Sequence, residues 1–219
     1  MVLLVPDDMP ADGPSTLAGN VTEMQALFDD WDPRISRLLA LCESVHKWRL
    51  CIRKGMDQWS HPSGAFTLLG DAVHATLPYL ASGAGMALED AAVLGELFGR
   101  SENPTLAVEK RRLLQMYEEC RKPRTERVVE RGDTQQWLYH LHDGPEQQER
   151  DRIMRSMEEG EALAWRDKGL SEWLLGYKVE EDVERVWNPS QPLKSDEELV
   201  RTSPDSDSFG EEVRIVSNL

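Results

Sequence analysis

The sequence predicts an α/β (α+β) fold, with short strands first and a long succession of helices after them. Three observations predict it. Val45 to Ile52 alternates between the two faces of a strand. Ala65-Phe66-Thr67-Leu68-Leu69 is an uninterrupted apolar run that stops at Gly70-Asp71. From Gly83 onward the apolar residues recur at helical spacing.

Met1-Val2-Leu3-Leu4-Val5 reads as a strand, closed at once by Pro6, Asp7 and Asp8, and a Pro/Gly/Ser-rich loop continues to Asn20. Val21-Thr22-Glu23 opens an amphipathic helix with Met24, Leu27 and Phe28 on one face. Asp32-Pro33 starts a second helix, with the acid as cap and the proline at the first helical position, and Ile35, Leu38, Leu39 and Cys42 as its apolar stripe. In the strand Val45–Ile52, Lys47 and Arg49 share a face opposite His46 and Trp48. The cations could meet a substrate carboxylate or line the solvated side of a half-open sheet. The apolar run at Ala65–Leu69 is expected to be a strand buried on both faces.

Gly83 to Gly99 reads as a buried helix whose polar surface is little more than Glu89, Asp90 and Glu96. A long charged helix is expected from about Thr105 to Leu141, with Pro123 kinking or splitting it. Its Arg111, Arg112, Arg121, Arg124 and Arg127 read as a solvated face paired with Glu118, Glu119 and Glu126. Further helical segments run from Glu146 to Trp165 and around Trp173, and beyond Trp187 the composition shifts to Ser, Pro, Asp and Glu, as in disordered tails.

A hydrophobic content of 40% over 219 residues suffices for a core. The formal charge of −15 argues against bare nucleic acid and anionic membranes as partners. No run approaches the roughly 20 apolar residues that span a bilayer. The opening apolar residues are too few for a signal peptide and lack a basic flank, so the protein is read as intracellular and cytoplasmic. Cys42, Cys51 and Cys120, odd in number and far apart, suggest buried thiols in a reducing compartment. His140, His142 and Asp143 do not form a convincing metal set, because an i, i+2 pair points to different helix faces.

The chemistry-bearing stretch runs from Leu68-Leu69-Gly70-Asp71-Ala72-Val73-His74 through Ser82-Gly83-Ala84-Gly85-Met86 to Glu89-Asp90-Ala91. Asp71 at the end of a strand could accept hydrogen bonds from ligand hydroxyls, or simply close a turn. Gly83-Ala84-Gly85 would let a ligand approach the backbone, or allow two helices to cross closely. The amides of a helix start favour an anionic or electron-rich ligand edge. His74 reads as a structural hydrogen-bonding residue rather than a base.

This ordered series closely resembles the second flavin fingerprint of class A FAD-dependent monooxygenases of the aromatic hydroxylase type. Phe28-Asp29-Asp30-Trp31-Asp32-Pro33-Arg34, Lys47-Trp48, Tyr117-Glu118-Glu119-Cys120-Arg121-Lys122-Pro123-Arg124 and Trp173-Leu174-Leu175-Gly176-Tyr177 add a similarity to salicylate hydroxylases, over about residues 1–178. The resemblance implies that Asp71 bonds the ribityl chain of FAD and that Gly83, Ala84 and Gly85 set their amides against the flavin ring. It also implies NAD(P)H as co-substrate and a small aromatic or secondary-metabolite substrate for hydroxylation or epoxidation. It identifies no catalytic acid or base, and no metal. The expected organisation is the end of a substrate-binding sheet with a helix pair (1–58), an FAD-binding segment (59–100), a helical region (101–178) and an acidic tail (179–219).

Two departures from the pattern stand out. Ala75 replaces a usual proline, and Gly85-Met86 replaces a frequent Ala-Asn. The sequence also contains no Gly-x-Gly-x-x-Gly turn, which in that family holds the ADP half of FAD. The chain therefore reads as the C-terminal portion of the fold, with a complementary N-terminal half as an expected partner. The alternative is a non-catalytic remnant or partner-dependent interaction module that binds no flavin alone.

Overall fold

The computed structural model describes residues 1–53, 55–156 and 164–188. Two compact units divide between Leu50 and Cys51.

The first unit holds β1 (Thr16–Ala18), α1 (Val21–Ala26), α2 (Pro33–Leu39) and β2 (His46–Trp48). Asn20 caps α1 by accepting from the amides of Thr22 and Glu23, and Asp32 caps α2 by accepting from Arg34 with Pro33 in the first turn. Met24, Phe28 and Leu39 are buried between the helices, with Leu3 and Val5 against them. A cavity of about 450 Å³ opens among Leu3, Val5, Met24, Phe28 and Val45.

The strands differ from expectation. Met1–Val5 is irregular and pairs with no strand among the described residues, whereas Thr16–Ala18, expected as loop, pairs antiparallel with His46–Trp48. Leu17 lies opposite Lys47, and the bonds from Gly19 N to Val45 O and from Arg49 N to Ser15 O extend the ladder at both ends. A strand exists only by its partner's hydrogen bonds, and apolar composition did not reveal which segment had one. Lys47 and Arg49 are paired with acids of the same unit at the rim of its cavity. Lys47 Nζ donates to Asp8 and Glu23 at 2.6 and 2.8 Å, and Arg49 Nε donates to Asp7 at 2.7 Å.

The second unit is helical: α3 (Asp71–His74), a 3-10 turn (Pro78–Leu80), α4 (Gly83–Arg100), α5 (Ala107–Tyr139), α6 (Pro145–Ser156), α7 (Lys168–Leu175) and α8 (Val179–Trp187). Its main core joins Trp59, Val73, Val93, Leu97, Leu113, Tyr117, Cys120, Val183 and Val186. A second joins Leu80, Met86, Val128, Leu170 and Leu174. Residues 179–187, assigned above to an acidic tail, form α8 and bury Val183 and Val186; residues 189–219 lie outside the described residues.

Ala65–Leu69 is not a strand. One bridge joins Ser60 to Thr67, and Phe66 and Leu69 are exposed. Pro123 does not split α5. A proline removes the N–H that would bond the carbonyl four residues back, here that of Glu119. Arg185 of α8 donates its Nη2 to that carbonyl at 3.3 Å instead. Among the described residues no helix is long and apolar enough to cross a membrane.

Candidate functional site

Gly70 sets the geometry. Its φ of +59° lies in the region that favours glycine, and a Cβ there would come within 3.3 Å of the Ala87 methyl. The chain thereby turns against the second turn of α4. Asp71, expected at a strand end, is instead the first residue of α3. Its carboxylate is exposed and has no partner among the described residues.

The three small residues form the first turn of α4. Met86 N makes the helix's first bond, to Ser82 O at 2.8 Å, so the amides of Gly83, Ala84 and Gly85 lack intrahelical acceptors. Ser82 does not cap them, because its hydroxyl donates to Leu80 O. A Cβ on Gly83 would sit 3.7 Å from the Thr76 methyl, and one on Gly85 would meet nothing within 4 Å. Among the described residues no second helix crosses at Gly85, so tight packing between described helices does not account for this glycine. Gly70 against Ala87 and Gly83 near Thr76 place the turn bearing Asp71 and the start of α4 side by side.

Beneath this surface lies a cluster of charge that pattern reading missed. Asp90, expected on the surface, is fully buried on the stripe Met86–Asp90–Val93–Leu97. Its Oδ2 accepts from the Gly70 amide at 2.9 Å and from His74 Nε2 at 2.7 Å, and its Oδ1 accepts from Arg121 Nε at 2.8 Å. Burial raises the pKa of this carboxyl, but the bonds from His74, Arg121 and Gly70 prevail and hold it below the ordinary carboxylate range. An ionised carboxylate only accepts, so His74 carries its proton on Nε2; its Nδ1 is buried without a partner among the described residues. His74 is thus the structural residue expected.

Arg121 and Arg124 are not a solvated face. Arg121 is fully buried and also reaches Glu89 at 2.8 Å. Arg124 forks onto Glu89 at 2.7 and 2.8 Å and donates to the carbonyls of Trp173 and Leu174. Both guanidiniums also lie over the Tyr177 ring, at 5.0 and 4.1 Å from its centroid. One signal could have exposed the cluster: Asp90 falls in the apolar stripe of α4, and Arg121 falls between Tyr117 and Val128 on the stripe of α5.

His140 accepts from or donates to the Tyr79 hydroxyl at 2.8 Å. Among the described residues no group of three or more His, Cys, Asp or Glu side chains is arranged to hold a metal.

Residues 50–132 match the FAD binding domain family. The chain is 39% identical over 180 residues to the FAD-dependent monooxygenase OpS4 of Beauveria bassiana (strain ARSEF 2860), covering 81% of this chain and 41% of that protein. It is 39% identical over 144 residues to the 3-amino-4-hydroxybenzoate 2-monooxygenase PtmB3 of Streptomyces platensis, covering 65% of this chain and 34% of the relative. A salicylate hydroxylase substrate complex superposes on 86% of this chain and 42% of that one, with a TM-score of 0.64 and 24% identity, a likeness of fold. The chain therefore spans about two fifths or less of the length of these relatives. Two features could hold part of such a cofactor: three uncapped amides at the start of α4, and the exposed Asp71 carboxylate, without a partner among the described residues.

Proposed function

We propose, from the match of residues 50–132 to the FAD binding domain family and the 39% identity to an FAD-dependent monooxygenase, that the chain is part of a class A FAD-dependent, NAD(P)H-using monooxygenase and holds the ribityl and ring end of FAD. The single observation that carries this reading is the pairing of the unpartnered Asp71 carboxylate with the uncapped amides of Gly83, Ala84 and Gly85.

Asp71 is an acceptor suited to the hydroxyls of the ribityl chain. The amides of Gly83, Ala84 and Gly85 would receive an electron-rich ring edge with the positive end of a long helix behind them, and would favour the form carrying more negative charge. The glycines keep side chains out of that approach. Bound FAD would supply the oxygen-activating chemistry, and the protein supplies position and electrostatics. The contacts to the adenosine end would come from a complementary N-terminal half bearing the Gly-x-Gly-x-x-Gly turn. The aminohydroxybenzoate relative supports a small aromatic substrate, hydroxylated or epoxidised.

The test is a titration of the purified protein with FAD, followed by absorbance between about 350 and 500 nm, where bound flavin differs from free. Wild type is expected to perturb the flavin bands with a stoichiometric end point, and Asp71→Asn to weaken binding without changing the protein's melting temperature. A flavin spectrum unchanged by wild-type protein overturns the proposal.

A further inference from the structure

We infer that Asp90 is a positioning residue: it touches no ligand, but fixes the turn bearing Asp71 against the first turn of α4, and so sets the spacing of the two halves of the flavin site. The inference rests on the flavin reading above for its functional consequence, and on geometry alone for the positioning itself.

Asp90, on α4, joins its own helix to two segments distant in sequence, the short turn Gly70–His74 and α5. Through Gly70 it holds the residue before Asp71, through His74 the last residue of α3, and through Arg121 the middle of α5. Arg121 reaches back to Met86 O at 3.2 Å, one turn beyond Gly83, so the same pair anchors the helix start. The bond from Gly70 is the one that matters most for Asp71. Gly70 sits at φ +59° and ψ −144°, a conformation that a free chain samples among many. With its amide committed to Asp90 and its α-carbon against Ala87, the turn has one arrangement. Bulk packing would hold α3 in place without choosing that peptide orientation. A buried carboxylate with fixed donors does choose it, since moving any donor leaves an unsatisfied charge.

The test compares wild type, Asp90→Asn and Val183→Ala, the last a core truncation on α8 that lowers stability while removing none of the network's hydrogen bonds. Amide exchange at Gly70, Val73 and His74 is measured by NMR under native conditions, without flavin. Asp90→Asn is expected to accelerate exchange there by at least about tenfold, the effect of losing one strong bond. In Val183→Ala these amides are expected to exchange no faster, relative to the rest of the unit, than in wild type. FAD titration then adds a readout that general destabilisation would not move. At saturating flavin and below both melting temperatures, Asp90→Asn is expected to change the visible circular dichroism of the bound flavin and to raise Kd by about tenfold or more, with Val183→Ala like wild type. Unchanged protection at Gly70, Val73 and His74 in Asp90→Asn overturns the positioning claim. So does a bound-flavin signal and Kd equal to wild type. Failure of wild type itself to bind flavin overturns the proposed function, while the exchange result still decides whether Asp90 positions the turn.

Discussion

Replacing Arg121 by Met removes a guanidinium from a site with no access to water while keeping most of its volume. Four interactions go: Nε to Asp90 at 2.8 Å, Nη2 to Glu89 at 2.8 Å, Nη2 to Met86 O at 3.2 Å and the guanidinium over the Tyr177 ring, 5.0 Å from its centroid. Glu89 keeps its fork with Arg124, so the loss falls on Asp90, which is fully buried and retains only Gly70 and His74 as donors. Removing one partner of a buried pair costs about 3–5 kcal/mol, because the other charge stays without compensation. For a chain of this size each kcal/mol moves Tm by about 2–4 °C, so the expected drop is roughly 6–20 °C. Urea unfolding followed by far-ultraviolet circular dichroism at neutral pH measures the free energy directly.

The same variant has a signature in pH. In wild type the folded-state pKa of Asp90 is depressed, so its contribution is complete above the unfolded value of about 3.9 and is lost only as pH falls below it. In Arg121→Met, burial is no longer offset by the guanidinium, and the carboxyl moves up. The gap between wild type and variant should therefore narrow as pH is lowered through the range where the variant's Asp90 takes up a proton. A loss below about 1 kcal/mol, the size of an exposed ion pair, or a gap that ignores pH, would refute the buried coupling.

Gly70→Ala forces a methyl into a left-handed backbone and against Ala87, and should cost about 1–3 kcal/mol by chemical denaturation, together with weaker FAD binding. Asn20→Ala removes the acceptor for two amides at the start of α1 and should cost about 1 kcal/mol; the first unit's helical signal in a thermal melt reads it. Burial and the nearby Asp182 carboxylate push the Cys120 thiol up to about 12, so in the folded protein it should resist alkylation at mildly alkaline pH and react only in denaturant, as peptide mapping by mass spectrometry would show.

Helices were readable wherever local chemistry decides them. The Asp32-Pro33 start, the run from Gly83 and the long helix ending near Tyr139 all follow from caps and spacing within a few residues of themselves. The Gly70-Asp71 series was legible as a unit because its glycines and acid carry backbone requirements that survive in sequence. Strands were legible only in part, because pairing is decided by a distant partner: His46–Trp48 pairs within the alternating run Val45–Ile52, whereas Thr16–Ala18 looked like loop and Ala65–Leu69 like strand. The buried charges escaped for a related reason. Asp90 and Arg121 lie on different helices, and each alone is an ordinary surface residue type; only their positions on otherwise apolar stripes betray that they meet. Position 123 shows a third kind of omission, since the residue that accommodates the proline is supplied by another helix.

That last arrangement bears on the order in which the second unit assembles. The Glu119 carbonyl waits for Arg185, and the neighbouring Cys120 thiol waits for the carbonyl of Asp182, 3.6 Å away. Both donor–acceptor pairs close only when α8 arrives. During synthesis the middle of α5 would thus leave the ribosome unfinished, a wet notch in a helix already wound on either side, until the chain through Trp187 has emerged. In the finished protein, undocking of α8 would remove both partners at once and leave the centre of the longest helix with an unmet carbonyl.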